Sequence, residues 1–185
     1  MTALIIVLLL AAVVVVVGIA VMYNGLVRSK NQVENAWSQI DVQLKRRIDL
    51  IPNLVDTVKG YAKHEQETLD RVISARNAAM QAPNTPNDQA AADNMLTGAL
   101  GKLFALSEAY PDLKANANFL ALQEELTATE GRVAYARQFY NDSVLSYNNK
   151  IESLPTNILA NAMSYEEREY FQADESARTV PNVDF

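Results

Sequence analysis

Twenty consecutive residues near the start of the chain, Ala3 to Met22, carry no polar side chain. At a helical rise they span ~30 Å, the hydrocarbon thickness of a bilayer, and in lipid such a segment must be helical to satisfy its own backbone. Beyond Tyr23 the pattern changes from uniform to periodic. Leu26, Val33, Trp37, Ile40, Leu44, Ile48, Ile51, Leu54, Val58 and Tyr61 recur mostly at steps of three and four, with Arg28, Lys30, Glu34, Gln39, Gln43 and Lys45 between them. No Gly or Pro falls between Leu26 and Ile51, so the membrane helix is expected to run straight into the first helix of the body. Pro52 lacks an N–H and crowds the carbonyl of Ile48, which predicts a kink or a break there. The pattern resumes through Val55, Ala62, Leu69, Val72 and Met80, weakened at Gly60, and ends near Gln81. On this reading a helix of ~120 Å is interrupted mainly at Pro52.

Residues 82–88 (Ala-Pro-Asn-Thr-Pro-Asn-Asp) form a loop that also starts the next helix, with Thr85 as N-cap, Pro86 in the first turn and Asp88 closing a capping box. A second helix is expected from Asn87 to about Ala109, stopped by Tyr110-Pro111-Asp112, and a third from about Asn116 to Ser153, ended by Pro155. A short fourth runs from Asn157 to Met163, and residues 164–185 form an acidic, mostly extended tail. The pattern contains no strand signal longer than a turn. The predicted class is all-α: a single transmembrane helix continuous with an antiparallel bundle of three long helices plus a short fourth. The division is an anchor at 1–23, a bundle at 24–163 and the tail at 164–185.

Charge fixes a direction for the anchor. No basic residue precedes the apolar run, whereas Arg28 and Lys30 follow closely. By the positive-inside rule the short N-terminus lies outside and the body in the cytoplasm, with Tyr23 at the interface. Gly18-Ile19-Ala20 has the small-x-small form of a cleavage site, but the run lacks a basic leader and continues through Val21 and Met22, so the segment is read as retained.

The net charge of −6 excludes the basic stripe of a nucleic-acid interface. Lys45-Arg46-Arg47, flanked by Asp41 and Asp49, reads as a solvated helix face. With no Cys and a single His, His64, neither a zinc site nor a ferritin-type di-iron site can be assembled. No Gly-rich phosphate loop is present. No catalytic, cofactor-binding or metal-binding residue is therefore assigned, and the chain is read as not an enzyme. His64 reads as an exposed helical residue, Trp37 as core, and Glu166, Glu167, Glu169, Asp174 and Glu175 as a solvated acidic patch.

Several stretches carry a resemblance. Trp37-Ser38-Gln39-Ile40-Asp41-Val42-Gln43-Leu44-Lys45-Arg46-Arg47, Asp49-Leu50-Ile51-Pro52-Asn53-Leu54-Val55, His64-Glu65 and Ala75-Arg76-Asn77 look like the LemA family of bacterial membrane proteins. So do Tyr110-Pro111-Asp112-Leu113-Lys114, Ala134-Tyr135-Ala136-Arg137-Gln138-Phe139-Tyr140-Asn141, Tyr170-Phe171 and Pro181-Asn182-Val183. The resemblance implies one N-terminal membrane helix and a helical cytoplasmic body at the bacterial inner membrane. It carries over no functional residue. Taken together, the sequence points to a membrane-anchored helical scaffold forming a homo-oligomer. The alternative is an adaptor that binds another membrane protein, such as a protease or signalling component.

Overall fold

The chain passes through Pro52 without leaving the helix. In the computed structural model, which describes residues 1–171, helix α1 runs unbroken over Thr2–Lys59. The carbonyl of Ile48, which loses its helical partner to the proline ring, accepts a hydrogen bond from Arg76 Nε at 3.3 Å. That donor comes from the next helix and satisfies a group whose isolation would otherwise favour a break.

The interruption comes at Gly60 instead. Gly60 N–H turns tightly onto Thr57 O at 3.3 Å, and the amides of Tyr61 and Ala62 both donate to Val58 O, at 3.0 and 2.9 Å. The helix closes there because glycine is a poor helix former and because the turn brings Ala62 into the core at 1% exposure. Helix α1 is thus ~87 Å long, not ~120 Å. Tyr61, placed on the apolar stripe by spacing, is 43% exposed, its hydroxyl accepting from Asn116 Nδ2 at 2.9 Å.

Five further helices follow: α2 (Gln66–Gln81), α3 (Pro86–Ser107), α4 (Pro111–Lys114), α5 (Ala117–Glu152) and α6 (Thr156–Ala162). The all-helical class is as expected, and the described residues contain no strand. The count rises to six because Gly60 separates α2 from α1 and because Pro111 opens a one-turn helix where only a stop was expected. Thr85 caps α3 as its sequence indicates. Its hydroxyl oxygen accepts from Asp88 N–H at 3.2 Å, with Pro86 in the first turn. Asn116 does the same for α5, its Oδ1 accepting from Phe119 N–H at 3.0 Å.

The chain divides into two compact units. The first comprises Met1–Ser38 and Phe139–Glu169. Here α1 and α5 run antiparallel, tied by Lys150 Nζ donating to Gly25 O at 3.1 Å and by the Trp37 and Tyr140 rings 5.3 Å apart. Leu26, Val33, Ala36, Val144, Tyr147 and Ile151 fill the seam. The apolar run of α1 has a mean hydropathy of 3.5 over its most apolar window, none of which is buried, and is long enough to cross a bilayer.

The second unit comprises Gln39–Gln138 with, among the described residues, Tyr170 and Phe171. Its core is one cluster that α1 to α5 all supply, including Ile51, Leu54 and Val58 from α1 and Leu69 and Val72 from α2. Leu96, Leu100 and Leu103 come from α3, Leu113 from α4, and Phe119 and Leu126 from α5. Leu113 explains α4: the single turn exists to deliver that side chain, which is 1% exposed.

Candidate functional site

Along α1 the residues Leu26, Val33, Ile40, Arg47 and Leu54 follow one another at intervals of seven, the spacing of a helix seam. Four are aliphatic and the fifth is an arginine. Arg47 is 2% exposed, and its Nη1 donates to Asp93 Oδ1 at 2.7 Å. Asp93 is itself 4% exposed and occupies a core-facing position of α3, in register with Leu96, Leu100 and Leu103. Its second oxygen accepts from Arg137 Nη2 of α5. The Arg137 guanidinium also lies over the Phe171 ring, 4.6 Å from its centre. Glu130, half-exposed, stands 3.8 Å from Arg47 Nη2.

One carboxylate therefore pins three helices together through two guanidinium groups, using both its oxygens. The Nε atoms of Arg47 and Arg137 are buried with no partner. Burial pushes the Arg137 guanidinium below its ordinary pKa; Asp93 acts in the opposite direction, and Arg47 adds to the lowering. An arginine stays protonated through that shift, so Arg137 keeps its charge. The void beside Asp93, lined also by Leu44, Ile48 and Gln89, measures about 10 Å³. That is at or below the room one water needs. The arrangement is built to fix geometry, and has no space for a substrate.

The basic triplet thus splits. Lys45 and Arg46 are exposed as expected, Arg46 bridging to Glu125 at 2.6 Å, but Arg47 is core and not solvated surface. The signal was present in the seven-residue spacing, which puts Arg47 and not its neighbours on the seam.

A second constellation lies in the first unit. Helix α6 ends in a paired turn: Ser164 N–H donates to Asn161 O at 3.2 Å and Tyr165 N–H to Ala160 O at 3.0 Å. Ser164 takes the left-handed conformation, φ 54°, that such an ending requires and that glycine usually supplies. The chain then continues without regular structure along α5, where side chains hold its backbone. Tyr147 OH donates to Glu166 O at 2.9 Å, and Tyr140 OH to Glu169 O at 2.9 Å. Between them Asn148 grips Arg168 at two points, Nδ2 donating to the carbonyl at 3.0 Å and Oδ1 accepting from the amide at 2.9 Å. Burial raises the pKa of both tyrosines, with the Arg168 charge opposing it.

This strap borders an open polar cavity of about 250 Å³ lined by Lys30, Tyr147, Met163 and residues 164–168. Glu166, Glu167 and Glu169 are exposed, while Asp174, Glu175 and the rest of the tail lie outside the described residues. Sequence reasoning missed the clasp because it depends on two helix-borne hydroxyls and an amide meeting a distant backbone.

Other candidates are placed as follows. His64 is exposed but sits in the Gly60–Glu65 turn, not on a helix. Trp37 is half-buried against Tyr140. Among the described residues no three His, Cys, Asp or Glu side chains converge on a point where they could hold a metal ion.

The sequence profile of the LemA family matches residues 36–185. The chain belongs to the LemA family. Arg47, Asp93, Arg137 and the three clasp residues all fall inside that match. Protein LemA of Metamycoplasma hominis is 29% identical over 155 residues, covering 84% of this chain and 71% of that protein. Magnetosome protein MamQ 2 of Paramagnetospirillum magneticum is 25% identical over 195 residues, covering 92% and 72%. Magnetosome protein MamQ of Magnetospirillum gryphiswaldense is 25% identical over 174 residues, covering 80% and 64%. This LemA-family chain is a membrane-associated helical protein whose N-terminal helix is long and apolar enough to serve as a single-pass anchor.

Proposed function

We propose that this protein is a membrane-anchored, non-enzymatic scaffold that assembles with further copies of itself. The observation that carries the reading is the Arg47–Asp93–Arg137 pin. The most costly groups the fold buries are spent on holding helices rigid, in a place without room for a ligand. Rigidity at such a point suits a part that transmits or maintains shape. Confinement to a bilayer through Ala3 to Met22 raises the effective concentration of copies, so weak lateral contacts suffice. Gly18, which has no neighbouring atom within 4 Å, leaves the span open to close approach of a second helix, as do Ala11 and Ala12. Relatives named for the magnetosome fit a part in building a structure.

The proposed location is the inner membrane of a bacterial cell, N-terminus outside and body in the cytoplasm, on the strength of Arg28 and Lys30 following the span. The test is mass measurement of the full chain in detergent and in native lipid discs. A distribution of multimers is expected, and a monodisperse monomer at micromolar protein removes the scaffold reading.

An adaptor role is the second reading, and a groove in the second unit favours it. About 240 Å³ in volume, it is lined by Asp41, Lys45, Asp49 and Met80, the methionine being 58% exposed. Cross-linking in native membranes separates the two. One stoichiometric foreign partner without self-cross-links supports the adaptor.

A further inference from the structure

Beyond Met22, Leu154 is the most exposed large apolar side chain among the described residues, at 76%, and Ile158, one helical turn beyond it, is 67% exposed. A single exposed leucine is ordinary, but these two share a segment, residues 153–165, in which no residue is charged. Their position in the first unit gives the pair a meaning. Lys150 Nζ reaches Gly25 O, and Trp37 meets Tyr140, so α5 descends antiparallel to α1 toward the apolar span. Two residues after Lys150 the helix ends, ~3 Å further along, level with Tyr23. The turn at residues 153–155 therefore stands at the height of Met22, where the apolar run stops and where α1 first has a partly covered side chain.

We infer that the α5–α6 corner is a second membrane contact: Leu154 and Ile158 insert into the headgroup–acyl boundary of the same bilayer that α1 crosses. The inference rests on reading Ala3 to Met22 as the anchor, and adds to it a shallow foot beside the spanning helix. Helix α6 is built for such a place. It buries Ala160 at 1% exposure against its own unit and leaves Ile158 on the outer side, and it lacks the charges that immersion would penalise. Lys150, just above, keeps its ammonium on a backbone carbonyl at the level where lysines typically reach out of lipid. Two contacts fix the tilt and rotation of the first unit against the membrane, which one spanning helix leaves free.

The chain has no cysteine, so single sites can be labelled in the full protein. Four variants, Val14→Cys, Leu145→Cys, Leu154→Cys and Ile158→Cys, carry an environment-sensitive fluorophore in vesicles doped with nitroxide lipids. The nitroxide sits either near the headgroup or near the acyl terminus. Val14 reports the span and is expected to be quenched best by the deep nitroxide. Leu145, 50% exposed on α5 and further from the span, is expected to stay aqueous. Labels at 154 and 158 are expected to shift their emission to the blue and to be quenched best by the shallow nitroxide. If Val14 is deep while 154 and 158 behave like 145, the foot is refuted and the anchor stands. Shielding of 154 and 158 from an aqueous quencher without lipid quenching marks a protein contact and refutes it equally. If Val14 is itself aqueous, both readings fail.

Discussion

A charge at a seam position can be removed in two ways, and the two have different costs. Asp93→Ala leaves Arg47, 2% exposed, with no hydrogen-bonded counter-charge and only the half-exposed Glu130 at 3.8 Å, and should lower unfolding stability by ~3 kcal/mol. Replacing the pair by apolar groups, Arg47→Met with Asp93→Leu, should recover most of that loss, since Arg137 retains the Phe171 face and is closer to solvent. Denaturant melts in detergent micelles followed by circular dichroism check both. The tyrosines of the clasp give a pH signature. Burial raises the pKa of Tyr140 and Tyr147, so the fold favours their neutral form. Their contribution is complete below about pH 10, the ordinary phenol value, and is lost as pH rises through the higher folded values. Tyr147→Phe should cost ~1 kcal/mol at neutral pH through the lost bond to Glu166 O, and should flatten the alkaline decline. At this scale the sequence was readable where a rule is local: Thr85 capping α3 needs only four adjacent residues. Arg47 needed the interval of seven to outrank its membership of a basic triplet. Asp93 offered the same clue on a leucine stripe.

Among the elements, α1 shows why a helix breaker need not break a helix. Pro52 frees the Ile48 carbonyl, and Arg76 of α2 takes it up. Arg76→Leu should cost ~1–3 kcal/mol by orphaning that carbonyl, but much less once Pro52→Ala restores the helical N–H donor. A double-mutant cycle should return a coupling of about 1 kcal/mol; additivity would show that the two residues do not share the carbonyl. This compensation was illegible in the chain because its partners are separated by a turn and a second helix. Gly60, by contrast, could have been weighted more heavily, having no such partner to rescue it. The helix boundaries that follow from caps and prolines, at Pro86 and near Pro155, were legible to within a residue or two. The one-turn α4 was not, since its purpose is the burial of Leu113.

For the molecule as a whole, the apolar span is the part most completely specified by composition alone, because lipid asks only for length and hydrophobicity. Deleting residues 2–22 should leave the core cluster intact, since it begins at Ile51, and should move most of the chain from a membrane fraction that resists washing to the supernatant. Sedimentation before and after the wash reads the difference. The assembly proposed above was less legible, because contacts between copies draw on exposed positions whose identity a single chain does not constrain.

The strap along α5 has a consequence for how this protein tolerates change. The hydrogen bonds from Tyr140, Tyr147 and Asn148 reach peptide groups of the strap, at Glu166, Arg168 and Glu169, and Arg168 adds a side-chain tie, an ion pair to Glu34 at 3.7 Å. Apart from Arg168, the peptide grip is blind to the letters it holds. In a saturation mutagenesis library scored for folded protein, Glu166 and Glu167 should accept almost any residue except proline, while Asn148 should accept almost none. Such a segment is free to vary its message without loosening its hold.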